Sequence, residues 1–119
     1  MSTPSGAGPD AFIAGLRRCG VESTTNNGVV TFAVEAFDGA HAGQPVLTGV
    51  STEELQSWPL TPPHWVHFPA EIKFAQTNSQ ASAVPGWLRH SRQIHGWGSA
   101  PEPAQAWIAH VRGVLGEAA

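Results

Sequence analysis

Six histidines and one cysteine carry most of the chemistry that this 119-residue chain could do. Arg89, His90, Ser91, Arg92 and His95 stand close together, framed by Trp87 and Trp97. Histidine exchanges its proton near neutral pH and can serve as a general acid or base. His90, Ser91 and His95 are therefore the catalytic candidates. Tryptophan and arginine dominate binding hot spots, so Trp87, Arg89, His90 and Arg92 equally read as a partner surface. A third reading is structural, with tryptophans plugging the core while Arg92 satisfies loop carbonyls. The residues alone leave all three open.

His64 and His67 form a second candidate, a His-x-x-His pair that invites a metal. Residues three apart on a strand point to opposite faces, so the two would not chelate together. Carboxylate and cysteine partners are missing nearby, and no metal or other cofactor is expected. Cys19 excludes an intramolecular disulfide simply by being single. It falls on one helical face with Phe12 and Leu16, which predicts a buried, inert thiol.

The charge balance narrows the partners. Charged residues are 13% of the chain, against a usual share of ~25%. Six basic against nine acidic residues leave a net charge of −3, too little positive charge to track phosphates, so nucleic acid is not expected. There is no apolar run of the ~20 residues that cross a bilayer and no signal-peptide pattern, so the expectation is a cytoplasmic protein that does not use the membrane. Thirteen glycines and ten prolines suggest long loops, while five tryptophans argue against disorder. The length fits one domain.

The elements that must position these residues can be read in order. The small, polar opening residues, 1–9, read as a disordered tail, and residues 10–119 as a single domain. Asp10 as N-cap and Gly20 as stop bound a first helix through Phe12, Ile13, Leu16 and Cys19. Val21 to Thr25, the Asn26-Asn27-Gly28 turn and Val29 to Phe37 read as a hairpin, with Val30, Phe32, Val34 and Ala36 on its buried face. Gln44 to Val50 reads as a third strand. Trp58 to Phe68 is a rigid proline-rich loop leading into a short strand, Trp65 to Phe68. Ala75 to Pro85 reads as a long exposed loop, and Pro85 to Trp97 has no assignable element. Ala104, Trp107, Ile108, Val111, Val114 and Leu115 form the stripe of a last helix, with Pro103 at its start, Gly116 at its stop and Trp107 in the core. The class is α+β: helix, antiparallel β-meander of about four strands, irregular Pro/Trp-rich segment, helix.

This order resembles the ubiquitin-conjugating (UBC) fold, whose third strand is followed by an aromatic-Pro-x-x-Pro-Pro segment. Trp58-Pro59-Leu60-Thr61-Pro62-Pro63 matches that segment, and Trp97, Pro101 and the last helix resemble the tryptophan, proline and helix that follow. Trp87-Leu88-Arg89-His90-Ser91-Arg92-Gln93, then Trp97, is similar to a bacterial branch, the prokaryotic ubiquitin-conjugating-like family E. The resemblance covers about residues 10–115. It marks Trp58, Pro59, Pro62, Pro63, Trp97 and Trp107 as structural.

The resemblance also shows a departure. The His-Pro-Asn turn and the thioester cysteine of conjugating enzymes are both missing, because Leu88 to Trp97 holds no cysteine and Cys19 lies in the first helix. Ser91 would form a far less transferable ester and has no obvious activating pair, so thioester relay is not expected. The implied role is that of a pseudoenzyme in a bacterial ubiquitin-like modification operon, beside an activating-enzyme-like protein and a metalloprotease. There it would bind or position a ubiquitin-like protein or its activating enzyme. The alternative is a noncanonical transferase or hydrolase built on the Arg89–His95 cluster. A third option is a plain assembly subunit.

Overall fold

A computed structural model describes residues 7–75, 78–94, 96–98 and 101–118. Two helices, α1 (Pro9–Arg18) and α2 (Pro103–Gly116), pack on a six-stranded sheet. The strands are β1 (Ser23–Asn26), β2 (Val29–Glu35), β3 (Pro45–Ser51), β4 (Trp65–Pro69), β5 (Ser79–Ala81) and β6 (Trp87–Ser91). Every pairing between these strands is antiparallel and the order is β1-β2-β3-β4-β6-β5, so β6 is inserted between β4 and the edge. The fold is α+β. No helix among the described residues is long and apolar enough to cross a membrane.

Local chemistry explains the elements. Asn27 and Gly28 both have positive φ, 53° and 75°, the conformation that a two-residue hairpin turn requires at both positions. They close β1 onto β2 with Asn26 opposite Val29. Along β2, Val30, Phe32 and Val34 turn inward, and Val46, Thr48 and Val50 of β3 join them. The Trp58–Pro59 peptide is cis, and the Trp58 side chain is buried against Phe12, with ring centroids 4.8 Å apart. Ala104, Trp107, Ile108, Val111, Val114 and Leu115 of α2 are all buried, as their spacing predicts.

Three expectations are corrected. The cap of α1 is Gly8 rather than Asp10, because Pro9 occupies the first turn, where its fixed φ and missing N–H cost nothing. Gly8 N–H also donates to the Trp58 carbonyl at 2.9 Å, so residues 8 and 9 belong to the packed domain. The rest of the expected tail, residues 1–6, lies outside the described residues. The stretch read as an exposed loop holds edge strand β5 and the buried Val84, and the unassigned segment holds β6.

The helices meet closely. A methyl added at Gly15 would stand 2.8 Å from the Ala104 Cβ. Glu102 fastens the crossing: its carboxylate accepts from Arg18 Nε at 2.8 Å and caps α2 at Ala104 N. The Arg18 guanidinium holds the Glu102 carboxyl below its ordinary pKa of 4.5.

Candidate functional site

The polar cluster predicted between Trp87 and Trp97 lies on β6, and strand alternation divides it. Arg89 and Ser91 face away from the helices, where Arg89 stacks over the Trp65 ring at 4.6 Å and donates to Gln80 Oε1 at 2.6 Å. Trp87 is half-buried on that same face, opposite Pro69. His90 turns into the core beside Phe68 and Phe74 and is only 2% exposed. Arg92 follows it onto the Phe74 ring at 5.0 Å and approaches Glu117 beyond α2 at 4.0 Å. The expected single rim of Arg89, His90 and Arg92 is thus two surfaces, with His90 buried between them. His95 lies outside the described residues.

Burial sets the histidine chemistry here. His67, opposite Arg89 in the β4–β6 register, is also 2% exposed. The segment Ser82–Val84 covers it. Ser82 Oγ lies 2.8 Å from His67 Nδ1, the Ala83 carbonyl accepts from Asn27 Nδ2, and Val84 is buried. His67 Nε2 has no hydrogen-bond partner among the described residues. Desolvation, then the charge of Arg89 and His90, pushes the His67 pKa down to about 4. Burial, then Arg92, also lowers His90. Both are neutral imidazoles at pH 7 and neither is poised to take up a proton there.

Ser91 has the activating partner that the sequence does not reveal. Its hydroxyl is hydrogen-bonded to His64 Nε2. His64 is exposed and Ser91 half-buried, so the pair is open to solvent. Backbone bonds anchor both residues. Glu54 Oε2 accepts from His64 N at 2.9 Å and Oε1 from Trp65 N at 3.3 Å. The His64 carbonyl accepts from Arg92 N at 3.0 Å, while Ser91 N donates to the Asn78 carbonyl at 2.9 Å. His64 and His67 therefore serve separate partners, Ser91 and Ser82. Among the described residues no three His, Cys, Asp or Glu side chains converge as a metal site.

The prolines and tryptophans assemble a second feature. Trp97 lies against Trp58, with ring centroids 5.2 Å apart, and its Nε1 donates to the Pro59 carbonyl at 2.8 Å. Pro63 is buried at the entry to β4, and Pro62 is half-buried. Beside Trp97 an open cleft of ≈ 960 Å³ runs between Pro59, Leu60, Ile94 and the α2 residues Ala106, Ala109 and His110. Leu60 is 85% exposed at its edge. Cys19 lies half-buried at the end of α1, its thiol pKa raised by desolvation first and then by Glu102.

Sequence reasoning missed His64, Trp65 and Gln80 as neighbours of the cluster. The β4 tryptophan beside two histidines was the available signal, but only the β4–β6 register brings it to Ser91. Comparison of the chain with protein-family models, curated proteins and solved structures found no match.

Proposed function

We propose that this chain is a UBC-like domain without the thioester cysteine, a pseudoenzyme that binds or positions a ubiquitin-like protein or its activating enzyme. The observation that carries this reading is the seat of the Trp58–Pro63 segment. It follows a first helix and an antiparallel meander, buries Trp58 against α1, enters β4 through the buried Pro63, and abuts the Trp97 that leads to the last helix. The uncovered cleft beside it supports a binding role, since open apolar surface of this kind marks interaction sites. Cys19 is in α1 and its thiol pKa is raised, so the chain carries no activated thiolate for relay.

Titration calorimetry with a bacterial ubiquitin-like protein and an activating-enzyme-like protein tests the proposal. Wild-type protein should bind one of them. Leu60→Asp, at a position too exposed to matter for folding, should weaken binding at least about tenfold, the effect of a modest hot spot. Failure of both proteins to bind would sink the reading.

A further inference from the structure

We propose that Ser91 and His64 form a nucleophile–base pair that hydrolyses activated carboxylic esters or thioesters. The inference stands on the outer face of the sheet and does not depend on the ubiquitin-like reading. A serine hydroxyl becomes a nucleophile when an imidazole nitrogen receives its hydrogen bond, and Ser91 Oγ is paired with His64 Nε2. His64 stands just before β4 and Ser91 ends β6, and backbone bonds to Glu54, Asn78 and Arg92 fix the two main chains side by side. The His64 ring also meets the Trp65 ring edge-on, with centroids 5.5 Å apart, a packing contact that orients the imidazole. The surroundings suit an acyl group. Trp65, directly opposite Ser91 in register, offers an apolar wall. Arg89, stacked on that wall, places a fixed cation on the same face, of the sign that a developing acyl oxyanion needs.

The reaction balances without any further reagent than water. Ser91 Oγ bonds to the acyl carbon as His64 Nε2 takes the hydroxyl proton. The C–O or C–S bond then breaks, and the alkoxide or thiolate leaves with the proton from His64. Water, deprotonated by the same nitrogen, releases the carboxylate and restores Ser91. The poor transferability of an oxygen ester, a handicap for relay, is no handicap to hydrolysis.

A fluorophosphonate probe and p-nitrophenyl acetate test this on the intact chain. The probe should add one phosphonyl group at Ser91, located by intact mass and peptide mapping, and Ser91→Ala should abolish both the adduct and ester turnover. His64→Gln should slow both at least ~100-fold and remove the pH dependence of a single base, with an unchanged melting curve. Should Ser91→Ala fail to fold, Ser91→Cys is the second probe. Iodoacetamide alkylation of the introduced thiol, in a Cys19→Ala background, should then slow about tenfold when His64→Gln is added. No adduct at Ser91, an adduct elsewhere only, or rates that ignore His64 would each overturn the assignment.

Discussion

Acidification should unfold this domain earlier than its carboxylates alone would, because His67 must be neutral to stay where it is. The ring is 2% exposed, its Nδ1 faces Ser82 Oγ, and its Nε2 has no acceptor within reach among the described residues. A proton there would face Arg89 and His90, both unfavourable. In the unfolded chain the ring titrates at its ordinary 6.5, whereas in the fold it resists until about 4. Between these values the unfolded state holds more protons, so stability is complete above about 6.5 and falls as the pH drops toward 4. A drop in pKa from 6.5 to about 4 corresponds to roughly 3 kcal/mol, a large share of the ~5–15 kcal/mol of a typical domain. His90 acts in the same direction, and Glu102 adds its own loss only below its ordinary 4.5. Urea denaturation at half-unit intervals from pH 7.5 to 4.5 would measure the slope. Wild-type protein should lose up to ~1.4 kcal/mol per pH unit for each proton taken up, and His67→Gln should flatten the curve by about one proton. A flat wild-type profile, or an unchanged slope in His67→Gln, would refute the argument.

Trp97→Ala removes the contact with Trp58 and the bond to the Pro59 carbonyl, and should cost ~3 kcal/mol in urea denaturation. Gly15→Val drives a side chain into Ala104, and a loss of ~1–3 kcal/mol is expected. Cys19→Ala should cost on the order of 1 kcal/mol, and the native thiol should react slowly with iodoacetamide at pH 7 because desolvation raises its pKa. Excess EDTA should leave the melting temperature unchanged; a fall of several degrees reversed by zinc would show a metal site after all.

What could be read from the sequence was what local pattern decides. Asn27-Gly28 announced its hairpin through backbone conformation, and α2 its buried face through spacing. β6 was hidden because His90 occupies a core position where alternation leads one to expect an apolar residue, so Trp87–Ser91 shows no period of two in hydrophobicity. β5 was hidden because its three residues are polar and exposed and are joined to β6 by backbone pairing. The same limit applies to the site. His64 and Ser91 are 27 residues apart and meet only because β4 and β6 are neighbours. Trp97 and Trp58 are likewise far apart in the chain and meet because the proline-rich loop brings both rings to the same end of the core.

The crossing of α1 on α2 also carries a consequence for how the chain is made. Phe12 and Leu16 emerge before the sheet, and the Ala104–Leu115 stripe that shares their core emerges last among the elements of this domain. Until Glu102 reaches Arg18, the apolar face of the first helix and the inner face of the sheet lack their final cover. The hairpin β1–β2 and its neighbour β3 can zip on the ribosome from near-neighbour contacts, but the core closes only after translation has passed α2. A nascent chain stalled just before residue 103 would therefore present a sheet with an open hydrophobic side, the form of the protein that chaperones and proteases would meet.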